Sequence, residues 1–336
     1  MEIDNRIITI GLSPAWDISC RGRDLDWGRH AQIDDQVIRP AGKALNVSYA
    51  LAWMGLSSVA AGLWGRDDYD EMRRAVGLAA WVKKGSQTPH TAFGDPNPPY
   101  RLIDVQMTAT EGRTRQNITV VDTRNRREMH LRRQSDLACE SSLRQLNVDL
   151  GKLVHEGDTC VFAGAMPAGA LLEPTVDLVR TCHRADARLA VDTHGPALKS
   201  VVAAGLPWLT SPNVEELREL LDCAVEDRPE TLAETGRTLL NRMELVLISR
   251  GEKGALVVAR DGAWTGHAVT QGKVQSTVGC GDYLLAGFLA GVRATDDPPV
   301  ALAQGLKVAT ARAWGWTESE SWTRAEKEIA VAVKAV

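Results

Sequence analysis

The chain has 336 residues, 44% hydrophobic and 24% charged, enough for one large α/β domain or two small ones. Its formal net charge of −4 supplies no global attraction to nucleic acid or to an acidic membrane surface, and no apolar run approaches bilayer length. The six cysteines are scattered, with no Cys-x-x-Cys and no histidine at zinc spacing, so reduced thiols are expected, and the start Met1–Arg6 lacks a signal-peptide pattern, which makes the cytoplasm the expected location.

The first apolar run, Arg6–Leu12, predicts a strand. Ser13-Pro14-Ala15-Trp16-Asp17 follows it, and a carboxylate there either accepts hydrogen bonds from a ligand's hydroxyls or caps a turn. Cys20–Arg39 is polar and carries no helical pattern. Pro40-Ala41-Gly42-Lys43-Ala44-Leu45-Asn46 opens a helix predicted to run over Leu45–Met54 and to close at Gly55. Ser58–Leu63 is the next strand, Gly94–Pro99 is a loop rich in turn residues, and Tyr100–Leu131 reads as several extended strands, Gln116–Val121 and Arg127–Leu131 among them. Residues of about 13–40 and 95–133 are expected to form a small sheet projecting from the main domain as a lid.

From there apolar runs alternate with helical stretches. Thr159–Ala163, Leu189–Asp192 and Leu245–Ser249 have the composition of buried strands, and Ser142–Val154, Pro174–Ala185 and Leu232–Met243 that of helices. The alternation implies a mainly parallel sheet with helices on both faces, whose strand ends are natural ligand sites. Ala255–Ala259 and Ala263–Thr265, joined by Arg260-Asp261-Gly262, predict a hairpin at a late antiparallel edge. Arg324–Ala335 is expected to be a surface helix.

The most informative segment is Ser276-Thr277-Val278-Gly279-Cys280-Gly281-Asp282, followed by the apolar run Tyr283–Gly291. Glycines where a loop becomes a helix leave backbone N–H groups unpaired, and with the positive helix end they favour phosphate charge. Asp282 at the edge of such a site is placed to accept a proton from an attacking hydroxyl. A plain turn with Asp282 as helix cap fits the same residues. A nucleophilic role for Cys280 needs a base that no neighbouring feature supplies. Three other segments have two readings each. Arg113-Thr114-Arg115-Gln116-Asn117 offers planar guanidinium forks suited to phosphate, or a charged strand edge. Asn213-Val214-Glu215-Glu216 offers oxygen ligands suited to Mg²⁺ through water, or a capping box. Ser249-Arg250-Gly251-Glu252-Lys253-Gly254 is a glycine-bearing loop open to phosphates and ribose, or a strand-to-hairpin turn. The lysine-bearing P-loop pattern is absent, and the basic lid region, with Arg124, Arg126, Arg127, Arg132 and Arg133, lacks the stacking aromatics of a nucleic-acid surface.

Together these segments resemble a ribokinase-type sugar kinase of the PfkB family, within its phosphofructokinase and tagatose-phosphate kinase branch, over Ser13 to Trp314. The resemblance implies a single ribokinase-like domain over 1–336, a three-layer α/β sandwich with a mainly parallel central sheet and a small β-sheet lid. It implies ATP with Mg²⁺, leaves a monovalent cation open, and points to a phosphorylated ketohexose as substrate and to a homodimer formed through the lid. It assigns catalysis to Asp282 with Gly279, Cys280 and Gly281. It assigns substrate binding to Asp17, Arg29, Gly42, Lys43, Asn46, Arg113, Arg115 and Asn117, with Arg115 the main grip on an existing phosphate. Nucleotide contacts fall to Ser249, Gly251, Gly254, Thr277 and Gly305, and the metal to Asn213 and Glu216 through water. Three positions depart from the family pattern: Ala41 and Ala44 stand where glycines are usual, with methyl groups expected to narrow the pocket, and Ala165 stands where a serine usually meets the sugar phosphate. Ala165 keeps open a kinase of an unphosphorylated sugar or nucleoside, and a non-catalytic sugar-phosphate binder on the same fold is a third reading, against which the retained Asp282 stands.

Overall fold

The computed structural model describes residues 5–78, 102–125 and 127–336. Apolar β-rich runs form β1 (Ile7–Gly11), β4 (Ser58–Gly65), β8 (Thr159–Ala163), β9 (Arg188–Asp192), β10 (Leu209–Thr210) and β11 (Leu245–Ser249). They pair in parallel in the order β11-β10-β9-β8-β1-β4, and β5 (Ile103–Thr110) extends the parallel set at one edge. At the other edge β12 (Ala255–Ala259), β13 (Gly262–Ala268) and β14 (Val331–Ala335) run antiparallel and complete a ten-stranded sheet. The predicted hairpin is β12–β13.

Helices cover both faces, which is why the central strands are buried and apolar throughout rather than alternating. One face carries α3 (Glu140–Leu153), α4 (Leu172–Arg184), α5 (Gly195–Ala203), α6 (Val214–Leu221) and α7 (Pro229–Arg237), packed on Ile8, Ile10, Phe162 and Val246. The other carries α1 (Lys43–Trp53), α8 (Cys280–Thr295) and α9 (Pro298–Ala313), packed on Ile7, Val161, Leu247 and Val257. A further helix, α2 (Tyr69–Leu78), joins a smaller cluster with Trp16, Trp64 and Met107. The result is the expected three-layer α/β arrangement, and because the sheet's centre is parallel, β1, β8, β9, β10 and β11 all deliver their carboxyl ends to one side.

A second sheet stands apart, with the order β3-β2-β6-β7: β2 (Ala15–Gly22), β3 (Ile33–Ala41), β6 (Gln116–Asp122) and β7 (Arg127–Arg132). It is narrower than the range expected for a lid. Ile103–Thr110 belongs to the large sheet instead, pairing with β4 along its length and burying Ile103 and Met107. The expected loop Gly94–Pro99 and Arg126 lie outside the described residues.

The C-terminal expectation needs correction. Only Trp322–Glu328 is helical (α10); Val331–Ala335 is strand β14, which covers the otherwise unpaired edge of β13. The helix expected over Leu232–Met243 ends at Arg237, where turns take over. Gly305, expected to border a nucleotide, is buried between α8 and α9: a methyl group there would lie 2.8 Å from the Leu284 carbonyl oxygen and 3.2 Å from the Phe288 nitrogen. Its smallness serves helix packing. Replacing it forces the two helices apart, so Gly305→Val is expected to destabilise the fold by about 1–3 kcal/mol, read as a lower midpoint in urea with an unchanged m-value.

Candidate active site

The loop Ser276–Gly279 feeds directly into α8. Gly279 is the residue before the helix and has φ of 80°, a conformation glycine adopts without the steric cost other residues incur. The N–H groups of Gly279, Gly281 and Asp282 have no acceptor among the described residues, so they meet the ligand side at the positive end of a 16-residue helix. Cys280 departs from expectation. Its N–H turns back onto the Thr277 carbonyl at 3.3 Å, its thiol lies against the Ser276 carbonyl at 3.8 Å, and burial pushes the thiol's pKa up. The expected trio of donors from 279, 280 and 281 is therefore Gly279, Gly281 and Asp282.

The Asp282 side chain lies under this helix end with only 4% of the residue exposed. Asn46 Nδ2 donates to its Oδ2 at 2.7 Å. Lys43 and Asn46 sit three residues apart in the first turn of α1 and so share a face; Lys43 Nζ donates to Asp192 Oδ1 at 3.2 Å. Asp192 ends β9, so one strand end and two helix starts converge here. Burial, then repulsion from Asp192, pushes the Asp282 carboxyl up to about 7, against the opposing pull of the Asn46 hydrogen bond and of Lys43 and Arg312. Burial pulls Lys43 down, but Asp192, Asp282 and Glu216 together outweigh it and hold its pKa above the ordinary value. Ala44 packs near Gly11 and Ala41 is wholly buried, and both line a small cavity beside Gly42, Lys43 and Pro14.

On the small sheet, Asp17 pairs with Arg39 of β3 on one side and Asn117 of β6 on the other, and Asn117 pairs with Arg132 of β7. Residues paired in one row share a face, giving the row Arg39–Asp17–Asn117–Arg132. Asn117 Nδ2 donates to Asp17 Oδ1 at 3.0 Å, while Asn117 Oδ1 is buried without a partner. Motif reading did not single out Arg39. The signal lay in pairing register, which places it beside Asp17. Arg115 has a different first task from the one expected: three of its N–H groups donate to the carbonyls of Pro14 (3.1 Å), Ser13 (3.0 Å) and Arg133 (2.6 Å), tying the β1–β2 connection to the exit of β7. Arg113 is exposed and pairs with Glu71 at 3.3 Å, apart from the cluster, and Arg29 is exposed in the β2–β3 turn.

Asn213 and Glu216 form the capping box of α6: Asn213 N–H donates to Glu216 Oε2 and Glu216 N–H to Asn213 Oδ1, both at 2.9 Å. Glu216 still contributes to the field at Lys43. Among the described residues no three His, Cys, Asp or Glu side chains gather to hold a metal. The donors present suit a hydrated Mg²⁺ held through water and by substrate phosphates, not an all-protein cage. Ser249 is bridged to Asn213 at the end of β11. Beyond it Arg250 and Lys253 both pair with Asp227 at 2.7 Å, which holds that carboxyl below its ordinary range despite burial. Gly251 is open to solvent, and Thr277 is exposed on the glycine loop. Gly254 is not free for a ligand: a methyl group there would collide with the Gly266 carbonyl, so its role is in the hairpin.

A family model described as "pfkB family carbohydrate kinase" matches residues 100–313, the stretch that carries Asp192, Asn213, Glu216, the glycine loop and Asp282. The chain belongs to the PfkB carbohydrate kinase family. It is therefore a phosphotransferase. Among its relatives, a 1-phosphofructokinase of Rhodobacter capsulatus is 28% identical over 92% of this chain and 90% of its own. A tagatose-6-phosphate kinase of Staphylococcus epidermidis is 24% identical over 85% of each. The solved phosphofructokinase-2 of Escherichia coli, in complex with potassium, superposes with a TM-score of 0.82 over 96% of this chain and 98% of its own, at 22% identity.

In this PfkB kinase no helix of the described residues is long and apolar enough to cross a membrane. The electrostatics around Asp282 carry a signed prediction. With its carboxyl raised to about 7, Asp282 acting as a proton acceptor would make kcat/KM rise with pH through about 7. Asn46→Ala removes a hydrogen bond that favours the charged form, so the midpoint moves up. Asp192→Asn removes a repelling charge, so it moves down. Initial rates from about pH 5.5 to 9 check both directions.

Proposed function

We propose that this kinase transfers the γ-phosphoryl group of ATP to a hydroxyl of a ketohexose that already carries a phosphate. The hydroxyl oxygen attacks the γ-phosphorus beside Asp282, which accepts the hydroxyl's proton. A new P–O bond forms as the bond to the β–γ bridging oxygen breaks, and that electron pair leaves on ADP. The N–H groups of Gly279, Gly281 and Asp282 bear the charge on the transferring group. Mg²⁺, held through water by Glu216 and Asn213, would supply positive charge to the ATP phosphates; Lys43 holds Asp192 and steadies the field at Asp282. Ser249, Gly251 and Thr277 border the nucleotide, and Asp17, Asn46, Asn117 and the Gly42 backbone hold the sugar.

The observation that carries the substrate class is the row Arg39–Asp17–Asn117–Arg132. It sets a guanidinium on either side of a hydrogen-bonded pair suited to sugar hydroxyls, which is where a sugar phosphate would bring its charge. Arg39 and Arg132 are the proposed grips, with the two remaining N–H positions of Arg115 between the strands. Relatives named 1-phosphofructokinase and tagatose-6-phosphate kinase support this reading. One observation favours an unphosphorylated sugar or nucleoside instead: Ala165, next to Gly164 at the Lys43 side chain, offers no hydroxyl.

ADP release measured with fructose-1-phosphate, fructose-6-phosphate, tagatose-6-phosphate, fructose, ribose and adenosine decides between them. Turnover is expected on one phosphorylated ketohexose, and Arg39→Ala or Arg132→Ala is expected to raise its KM about tenfold or more, the usual cost of a charged hydrogen bond. Turnover confined to an unphosphorylated acceptor would overturn the reading.

We also propose that a second copy of the chain covers the small sheet, which acts as a lid. On the face opposite the Arg39–Asp17–Asn117–Arg132 row, the row Ile38–Ile18–Ile118–Leu131 carries Ile38 and Leu131 each about half exposed, apolar surface suited to a partner. Light scattering is expected to give twice the chain mass, falling to the monomer with Ile38→Glu and Leu131→Glu combined.

A further inference from the structure

Arg312 stands directly behind the glycine loop, and no step above uses it. It lies in the last turn of α9 and is 8% exposed. Its Nε donates to the Val278 carbonyl at 3.1 Å, its Nη1 pairs with Glu318 at 2.9 Å, and its guanidinium carbon lies 5.3 Å from the centre of the Tyr283 ring. Asp282 and Cys280 also face it, and both feel its charge. Glu318 is the only carboxylate it pairs with among the described residues, and that side chain is 62% exposed. A guanidinium buried this deeply, with so little compensation, is costly if its sole purpose is structural.

Its position relative to one peptide unit explains the cost. The Val278 carbonyl and the Gly279 N–H are the two ends of a single trans peptide, so they point in opposite directions. A positive charge on the oxygen draws electron density toward the carbonyl and leaves the N–H a stronger donor. That N–H is one of the three unpaired groups at the head of α8. We propose that Arg312 is a positioning residue, a resident cation that fixes and polarises the Val278–Gly279 peptide, so that turnover needs no added monovalent cation. A small cation seeking carbonyl oxygens on this side of the loop meets a guanidinium already on Val278, and two such charges in contact repel. The residues present therefore do not fit the monovalent cation that the family resemblance left open. The inference rests on the reading that this loop holds the transferring phosphoryl group.

The test begins with the unaltered enzyme in sodium, potassium and tetramethylammonium salts at constant ionic strength. The kcat is expected to agree within about twofold across the three, since guanidinium already fills the role. Arg312→Ala is expected to lower kcat at least about tenfold with little change in the sugar KM, because the weakened donor acts on the transition state. Millimolar guanidinium or potassium is expected to restore part of the loss. A several-fold rise of the unaltered enzyme in potassium overturns the proposal, as does an Arg312→Ala enzyme with unchanged kcat. So does a folded Arg312→Ala enzyme whose loss neither cation relieves. If that variant does not fold, the salt series on the unaltered enzyme decides alone. Asp282→Asn separates the two readings: near-normal turnover there sinks the loop reading itself, whereas an inactive Asp282→Asn beside a fully active Arg312→Ala sinks only the role of Arg312.

Discussion

The carboxylate of Asp282 is buried beneath a helix N-terminus and held by one amide, Asn46, at 2.7 Å. A charge in that position is unfavourable on its own, and the surrounding architecture determines how unfavourable. Asp192 stands close enough to repel it, Lys43 and Arg312 close enough to attract it, and the balance leaves the group poised between its protonated and ionised forms near neutral pH. A folded protein gains nothing in stability from such a residue: between the ordinary carboxylate pKa and about 7, the folded state keeps a proton the unfolded chain has lost, so this group opposes folding progressively as pH rises. Nor is Asp282 the helix cap: Gly279 holds that position, and no side chain caps α8.

The members of this cluster are far apart in the chain and meet for a topological reason. Parallel strands deliver every carboxyl end to one side, so Asp192 at the end of β9 and Asn213 after β10 arrive there without further design. The helices α1 and α8 start on that same side because each follows a strand or loop that ends there. Two N-termini, carrying Lys43 with Asn46 and Asp282 with the free N–H groups, thus face one another across a single gap. The ion pair Lys43–Asp192 joins the first helix to the sheet, and the Asn46–Asp282 bond joins the two helices.

How much of this was legible depended on the range of each signal. The alternation of apolar runs and helices, the Arg260–Gly262 turn and the Gly279–Asp282 loop are local, and each produced an element or junction close to where it was expected. Partners across strands were less visible. Arg39 is one charge in a polar segment until register sets it beside Asp17, and Arg115 looks like a phosphate grip until three carbonyls from two remote connections converge on it. Gly254 and Gly305 illustrate the same limit, since a glycine needed for backbone approach to a neighbouring strand or helix has the same letter as one needed for approach to a ligand. Val331–Ala335 was misread because its period-two pattern is short and its partner edge, β13, lies more than sixty residues upstream.

The two sheets divide the work in a way that bears on specificity. The proposed base, the N–H groups unpaired among the described residues and the cation behind them ride on α8 and α9, which are packed into the large core. The row proposed to face a sugar's substituents rides on the four strands of the small sheet. Several contacts couple the sheets: Trp16 of β2 packs on Trp64 of β4 and donates to Asp68, Thr114 bonds Gly65 and Asp68, and the Arg115 guanidinium grips Ser13 and Pro14 after β1 and Arg133 after β7. On the proposed reading, changes in the small sheet alter which acceptor is held, while a change at Arg115 loosens one of the links between the sheets. Arg115, which motif reading assigns to binding, is thus held first by the chain's own carbonyls, with two N–H positions left over.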